Sequence, residues 1–344
     1  MKQVTGINVK LKRGRIIMKR IICFDTSIAT SNMGDYIIAE SCDRELKKLL
    51  CGNFVMRFPT HTPVSHFYQD FRKFGGGRYR DYADYKFVYG TNLLNCNMFT
   101  PTPTWNVNIF NLRMVKGVIC LGVGMGSDSI KPNGYTKLLL KNILNPNAIH
   151  SARDEKTAEF LKSMGLRALN TGCTTTWELT NEFCSTIPKT KGKNVVFTLT
   201  DYKRDYSADR SMIEILRRNY EKLYFWVQGV EDYNYLEQLG ENKNVIIIGS
   251  SLAEYENILK QQDIDYVGTR LHAGIKAMQL KRRSIIIEVD NRATDMKNSI
   301  NLNTVKREKI ISLEEMINSK FATQLEINTD SILAWKAQFN ENSK

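Results

Sequence analysis

The sequence predicts an α/β fold of two Rossmann-like domains that face a cleft, with parallel sheets and helices on both faces. Three observations predict it. Apolar runs of strand length alternate with amphipathic helical stretches, the alternation occurs in two series, and a polar, basic stretch at residues 187–193 separates the series. Strands that alternate with helices pair in parallel and are covered by those helices. A chain of 344 residues is long enough for two such domains.

The first series follows a basic N-terminal segment. The helix predicted from Asp35 shows the pattern most clearly, because Ile38, Cys42 and Leu46 recur on one face. We predict strands at residues 20–24, 54–58, 86–89, 117–122 and 148–151, and helices at residues 35–50, 135–143 and 154–164.

The second series repeats the alternation after the basic stretch. We predict strands at residues 194–199, 223–227, 245–248, 265–267 and 284–288, and helices at residues 210–220, 232–239, 252–261, 271–280, 313–318 and 330–340. The series place the domains at residues 18–188 and 189–344, with the last helix returning to the first domain. Residues 1–17 are predicted to be an arm without regular structure.

Charge and cysteine content limit the class of protein. The formal net charge is +13, which favours either simple solubility or an anionic partner such as a phosphorylated substrate, an acidic glycan or a membrane surface. Nucleic acid is disfavoured, because no basic stripe or nucleic-acid motif occurs. The seven cysteines show no two-residue spacing, and no apolar run is long enough for a membrane span. These features predict a cytoplasmic protein without a metal site.

The segment Gly268-Thr-Arg-Leu-His-Ala-Gly274 is the strongest candidate for chemistry. A short strand ends there and a helix begins, so Arg270 and His272 lie at a helix N-terminus. Such a terminus attracts anions, an arginine can fork onto a phosphate or carboxylate, and a histidine moves protons near neutral pH. The alternative is structural: Arg270 starts the helix and His272 is a hydrogen-bonded core residue.

Three other segments follow predicted strands. Asn32 and Asp35 lie in a turn where ligands bind in such sheets, although Asp35 is also suited to cap the helix. Arg153 and Arg292 each follow the carboxyl end of a strand and could meet an anion. For Arg153 a role beside the helix-capping Asp154 is an equal alternative.

In order and spacing, Asn32-Met-Gly-Asp35, Ala152-Arg-Asp154 and Gly268-Thr-Arg-Leu-His-Ala273 resemble the polysaccharide pyruvyl transferase family. The resemblance covers about residues 18–300. Members are similar in fold to two-domain GT-B glycosyltransferases. They transfer an enolpyruvyl-derived unit from phosphoenolpyruvate to a sugar, usually as a pyruvate ketal. Residues 89–92 and 171–176 depart from the family pattern, which indicates a divergent acceptor or altered chemistry.

The resemblance also implies roles for residues. It implies phosphoenolpyruvate as donor substrate, no separate cofactor or metal, and a glycan or lipid-linked oligosaccharide as acceptor, met in the cytoplasm or at the inner membrane face. The first domain would bind the acceptor and the second the donor. The implied residues are His272 and Arg270 for catalysis, Arg153, Arg292, Gly268 and Thr269 for the donor anion, and Asn32, Asp35 and Asn92 for the acceptor.

Two other functions remain open at this stage. One is a GT-B glycosyltransferase that uses a nucleotide-sugar donor, which shares the fold. The other is a non-catalytic protein that binds glycans or anionic surfaces through its basic charge.

Overall fold

A computed structural model describes residues 11–12, 15–16, 18–64, 83–100, 103–127, 129–261 and 263–340. The chain forms two compact units. The first comprises Met1–Ala29, Ile38–Thr174 and Asn328–Lys344, and the second comprises Thr30–Ile37 and Thr175–Ile327.

The first unit is built on parallel strands. Its strands are β1 Leu11–Lys12, β2 Arg15–Ile16, β3 Arg20–Asp25, β4 Phe54–Pro59, β5 Tyr85–Tyr89, β6 Asn92–Leu94, β7 Ile119–Leu121, β8 Gly124–Met125, β9 Ile149–Ala152 and β10 Arg167–Asn170. Four of them form a parallel sheet in the order β4-β3-β5-β7, and β6–β8 and β9–β10 are parallel pairs. Strand β3 is apolar and buried along most of its length, as expected inside a parallel sheet.

Helices alternate with these strands, and their apolar faces join the buried core of the unit. Trp335 is fully buried, and its ring lies 6.4 Å from that of Phe87. The helices are Met33–Leu50, whose first turn belongs to the second unit, and Leu112–Val115, Gly134–Ile143, Glu155–Ser163 and Thr329–Ala337. Among the described residues, no helix is both long enough and apolar enough to cross a bilayer.

The second unit holds a six-stranded sheet in the order β13-β12-β11-β14-β15-β16, and every pairing in it is parallel. Its strands are β11 Asn194–Thr198, β12 Lys222–Trp226, β13 Val245–Ile248, β14 Ile264–Gly268, β15 Ser284–Glu288 and β16 Thr304–Lys306. Its helices are Asn181–Cys184, Tyr206–Asn219, Asp232–Leu239, Leu252–Leu259, Leu271–Gln279, Asn291–Ile300 and Leu313–Asn318. The predicted α/β architecture with parallel sheets is therefore confirmed.

The second unit begins earlier in the chain than the predicted division after residue 188. It includes Thr175, whose carbonyl accepts a hydrogen bond from Gln279 Nε2 at 2.6 Å, and Phe183, whose ring lies 5.7 Å from Lys281 Nζ. These contacts join the segment before the basic stretch to the end of the helix Leu271–Gln279 and to the turn that follows it, both in the second unit.

The N-terminal arm contains one short antiparallel pair, in which Leu11 of β1 faces Ile16 of β2. This pair differs from the expectation of an arm without regular structure. Residues 11–12 and 15–16 are described, and the rest of the arm lies outside the described residues.

A buried ion pair anchors the amino end of β14. Arg283 Nη1 donates to Asp265 Oδ2 at 2.9 Å, and the hydroxyl of Tyr220 donates to the same oxygen at 2.9 Å. Arg283 Nη2 also caps the end of the helix Leu313–Asn318 through the carbonyls of Met316, Ile317 and Ser319. One fully buried cation therefore joins the sheet to a helix that covers it.

His150 in β9 is fully buried and is a structural residue. Its Nδ1 accepts from the backbone N–H of Cys120 at 3.2 Å, so its Nε2 carries the proton and donates to the Asn145 carbonyl at 3.0 Å. Burial disfavours the charged ring and lowers the pKa of His150 to about 4; Arg167 adds to this effect and the Asn145 carbonyl opposes it.

This histidine makes stability depend on pH. Its pKa is about 4 in the folded protein against 6.5 in an unfolded chain, so the unfolded chain takes up the proton first as pH falls. The stabilisation is complete above about pH 6.5 and falls by ~2 kcal/mol on reaching about pH 5. We expect His150→Gln to lose less stability than the wild type between about pH 7 and 5 in urea unfolding. Equal losses in the two proteins would contradict this account.

Candidate functional site

The candidate site lies at the carboxyl edge of the second unit's sheet. Strands β12 and β13 lie on one side of β11, and β14, β15 and β16 lie on the other. After β13 the chain crosses back over β11 and continues in the opposite direction, so the switch point lies between the neighbouring strands β11 and β14. Ligands bind such sheets at this switch point, outside the carboxyl ends of the strands. The predicted segment from Gly268 to Gly274 begins there.

Arg270 follows β14 and is only 4% exposed. Its Nε donates to the Leu199 carbonyl at 2.9 Å and to Asp232 Oδ2 at 3.2 Å. Its Nη2 donates to Asp201 Oδ1 at 2.9 Å and to Asp232 Oδ1. Burial alone would lower the pKa of the Arg270 guanidinium, but the Asp232 carboxylate raises it, so the group stays charged. Nη1 makes no hydrogen bond to a described residue, so its two N–H groups remain for another partner.

Two glycines allow this packing. A Cβ on Gly229 would lie 2.2 Å from Arg270 Nη2, so the guanidinium rests directly on the backbone that follows β12. A Cβ on Gly268 would lie 2.5 Å from Thr198 Oγ1. The absence of a side chain at Gly268 lets β14 approach the end of β11 closely.

Thr269 is also fastened to β11. Its Oγ1 lies 2.8 Å from Thr200 Oγ1 and donates to the Thr198 carbonyl at 3.3 Å. The predicted donor-binding residues Gly268 and Thr269 therefore hold the end of β14 against its neighbour in this structure.

Arg292 repeats the pattern of Arg270 after β15. Its Nε and Nη2 fork onto Asp290, with Nη2 2.6 Å from Asp290 Oδ2. Its Nη2 also donates to the hydroxyl of Tyr202 at 2.5 Å, and the ring of Tyr202 lies 5.2 Å from the Arg270 guanidinium carbon. Tyr202 is 55% exposed, so an accessible aromatic ring is held by the two arginines.

His272 lies in the first turn of the helix Leu271–Gln279 and is buried, as is Leu271. The Asp290 carboxylate lies near enough for the charge of His272 to affect it. Burial alone would raise the pKa of Asp290, but hydrogen bonds from Arg292 and the charges of Arg292 and His272 lower it below its ordinary value. Asp290 therefore stays ionised.

Asn32 caps the helix Met33–Leu50, where Asp35 was the expected cap. Asn32 Oδ1 accepts from the backbone N–H of Gly34 at 3.0 Å, and the helix begins at Met33. Asp35 lies within the first turn, and its Oδ2 accepts from Thr30 Oγ1 at 2.5 Å. The earlier start follows from the side chain of Asn32, which supplies the acceptor one turn before Asp35.

Asn32 also pairs with the end of β12. Its Oδ1 accepts from Gln228 Nε2 at 2.8 Å, and Asn32 forms an antiparallel bridge with Gly229. Gln228 and Gly229 thus lie between two predicted segments, with Asn32 on one side and Arg270 on the other. The structure therefore brings the first and last predicted motifs together within one unit.

Arg153 and Asn92 belong to the first unit and lie beside Gly124 there. A Cβ on Gly124 would lie 2.6 Å from the Arg153 guanidinium carbon, and Asn92 faces Gly124 across β6 and β8. Among the described residues Arg153 has one weak ion pair, at 3.5 Å to Asp154, although its side chain is only 14% exposed. Asn92 Oδ1 is buried without a partner among the described residues. This cluster keeps unused hydrogen-bonding capacity.

The balance of charge differs between the carboxyl edge of the second unit and the cluster around Arg153 in the first unit. In the second unit, Asp201, Asp232 and Asp290 outnumber the guanidinium groups of Arg270 and Arg292. Among the described residues, Arg153 in the first unit pairs only with Asp154, at 3.5 Å, and Asp154 also caps the helix Glu155–Ser163. Arg153 is therefore the better placed cation for an anion, whereas the edge of the second unit suits proton transfer and hydrogen bonding. No group of three or more metal-ligating side chains occurs within the described ranges.

Sequence reasoning missed five residues of this site. Asp201, Tyr202, Gln228, Asp232 and Asp290 all follow the carboxyl ends of strands. That position was the available signal, but Asp232 was interpreted only as the start of a helix, and the others were not singled out.

Comparisons with known proteins agree with the fold and name a family. The chain resembles Methanocaldococcus jannaschii UDP-GlcNAc 2-epimerase, solved with UDP-GlcNAc and UDP, at 14% identity and a TM-score of 0.52, over 94% of this chain and 100% of that one. It also resembles S. aureus MnaA, solved with UDP, at 10% identity and a TM-score of 0.51, over 92% of this chain and 94% of that one. These likenesses show a GT-B-like fold and no more.

No protein with a curated description matches the sequence. The sequence model of the family described as Polysaccharide pyruvyl transferase matches residues 32–291. This match spans most of the chain and contains all three segments that carried the resemblance. The chain therefore belongs to the polysaccharide pyruvyl transferase family and is a transferase.

Proposed function

We propose that the protein transfers a pyruvyl group from phosphoenolpyruvate to a sugar of a cell-surface or capsular polysaccharide, or of its precursor, as a ketal. The observation that carries the proposal is the place of His272, in the first turn of the helix that begins at the switch-point edge of the sheet. Histidine is the side chain that most often transfers protons near neutral pH.

The reaction needs one proton delivered and two removed. The methylene carbon of phosphoenolpyruvate gains a proton and becomes a methyl group, while a sugar hydroxyl adds to the neighbouring carbon. Phosphate then leaves with its bonding electrons, a second hydroxyl adds, and both hydroxyl protons are released. We assign the proton to the methylene carbon to His272, a contribution that is typically worth ~10²–10⁴ in rate.

The donor carries a phosphate and a carboxylate, and both require cations. We assign Arg153 to these anionic groups, because it is the least compensated of the candidate arginines. Arg270 and Arg292 would contribute through Nη1, since Nε and Nη2 of each are already fixed by carboxylates. Fixed guanidinium groups need little reorganisation when charge develops on a leaving phosphate.

The acceptor is proposed to be a glycan or a lipid-linked oligosaccharide. Asn32 and Asn92 each have an amide atom without a described partner, and such atoms suit sugar hydroxyls. The net charge of +13 agrees with work in the cytoplasm at or near the anionic inner face of the membrane.

The test of the proposal is transfer itself. We expect the protein to release phosphate from phosphoenolpyruvate only with a suitable glycan, and to give a product heavier by one pyruvate less one water. In a parallel reaction with UDP-GlcNAc in place of phosphoenolpyruvate, we expect no UDP release. The opposite pattern would identify a nucleotide-sugar transferase, and turnover of neither donor would favour a non-catalytic binding protein.

His272→Ala should lower turnover by ~10²–10⁴, because the proton donor is lost. The Michaelis constant for phosphoenolpyruvate should change little, since the residue is assigned to proton transfer and not to binding. Steady-state phosphate release and thermal melting measure the two effects. His61→Ala is the control and should keep full turnover. Full turnover in His272→Ala would refute the assignment, and a collapse of its melting temperature would make the residue structural.

Arg153→Gln should raise the Michaelis constant and the dissociation constant for phosphoenolpyruvate by about 10- to 100-fold, because a charged hydrogen bond contributes ~1.5–3 kcal/mol. Calorimetry with phosphoenolpyruvate and steady-state kinetics measure the change. Arg167→Gln in β10 of the same unit is the matched control and should bind the donor as the wild type does. Unchanged donor affinity in Arg153→Gln would remove this residue from the donor site.

A further inference from the structure

Gln228, which follows β12, carries a buried hydrogen-bond acceptor that nothing satisfies. The residue is 3% exposed, and its Oε1 is buried with no partner among the described residues. A buried carbonyl oxygen normally has a partner, and leaving it unpaired destabilises the protein. An acceptor of this kind at the ligand-binding edge of a sheet indicates a bond that a ligand completes.

The identity of the free atom follows from the bonds around it. The backbone N–H of Gly34 donates to Asn32 Oδ1 at 3.0 Å, and a backbone N–H can only donate. The atom that faces Gln228 on Asn32 is therefore an acceptor, so Gln228 must present its Nε2 donor to it, at 2.8 Å. The orientation of both amides is fixed in this way, and the free atom of Gln228 is the oxygen.

Asn32 has a complementary free atom. Its Nδ2 makes no hydrogen bond to a described residue, and its side chain is partly exposed. We call Asn32 and Gln228 the amide pair. One hydrogen bond joins the pair, and it leaves one donor and one acceptor unused. Because Asn32 is partly exposed and Gln228 is buried, a ligand would reach the pair from the side of Asn32.

The chemistry of the free atoms distinguishes between ligands. The phosphate and carboxylate groups of phosphoenolpyruvate are acceptors at neutral pH and have no proton to give to Gln228 Oε1. An alcohol both donates and accepts, and it can therefore satisfy both atoms of the pair. Gly34 is also suited to this place, because a Cβ there would lie 3.0 Å from Gln228 Nε2 and crowd the pair.

We infer that the amide pair of Asn32 and Gln228 binds a hydroxyl group of the acceptor sugar, which makes Gln228 an acceptor-binding residue. The inference rests on the proposed function, since it names the part of the reaction that the pair serves. Gln228 Oε1 accepts a hydrogen bond from the sugar hydroxyl, and Asn32 Nδ2 donates a hydrogen bond to the oxygen of the same hydroxyl. The pair thereby orients the sugar without contacting the donor.

The test uses methyl glycosides of glucose, galactose, mannose and N-acetylglucosamine as acceptor probes. Their binding is measured by saturation-transfer NMR and their turnover by phosphate release. We expect Gln228→Met to weaken the affinity for the best glycoside by about tenfold, with the affinity for phosphoenolpyruvate within about twofold of the wild type. Gln238→Met, at an exposed glutamine of the helix Asp232–Leu239, is the matched control and should change neither.

A second variant removes one atom of the pair without disturbing its described bonds. Asn32→Asp keeps an oxygen for Gly34 and Gln228 and is an equally good helix cap, but it has no Nδ2 donor. We expect its melting temperature to stay within a few degrees of the wild type and its glycoside affinity to fall about tenfold. A merely structural pair would show no such loss in this variant.

The outcomes are separable. Unchanged glycoside affinity in both variants would overturn the inference, as would equal losses for phosphoenolpyruvate and glycosides in Gln228→Met. Absence of glycoside binding to the wild type would also overturn it. If the wild type binds glycosides with the expected losses in the variants but transfers no pyruvyl group, the amide pair is a sugar-binding site and the proposed function fails.

Discussion

The buried guanidinium of Arg270 is the interaction on which the carboxyl edge of the second unit depends. It joins the ends of three strands, because its partners are the Leu199 carbonyl and Asp201 after β11 and Asp232 after β12, while Arg270 itself follows β14. Asp232 is fully buried and also accepts the backbone N–H groups of Gly229 and Asp201. A buried charge that loses its partners is costly, so these bonds hold the loops in one arrangement.

In this arrangement, different atoms of each arginine hold the structure together and remain available to a ligand. Arg270 and Arg292 each use Nε and Nη2 to hold a carboxylate, and each keeps Nη1 unused by the described residues. The carboxylates compensate the charge of these arginines, so the two guanidinium groups attract further anions less strongly than unpaired ones would. The edge is a rigid frame for His272, for the exposed ring of Tyr202 and for the amide pair. We therefore propose Arg153, whose charge is less compensated, as the residue that binds the anionic donor.

The sequence could predict the fold because its periodicity is local. The alternation of apolar strands with amphipathic helices required no knowledge of distant contacts, and Val245–Ile248 and Ser284–Glu288 have the predicted bounds. The sequence also located Arg270 and His272 at a helix start. It could not assign the partners of Arg270, because Asp232 and Asp201 are 38 and 69 residues away in the chain. The amide pair was out of reach for the same reason, since 196 residues separate Asn32 from Gln228.

A double-mutant cycle on Arg270→Met and Asp232→Asn tests most directly whether the buried pair organises the edge. Urea unfolding of the wild type, both single variants and the double variant gives the four free energies. Each single variant should lose ~3–5 kcal/mol, because each leaves a buried partner uncompensated. The double variant should lose about as much as one single variant, with a coupling energy of at least ~2 kcal/mol. Additive losses, with a coupling energy near zero, would contradict the account.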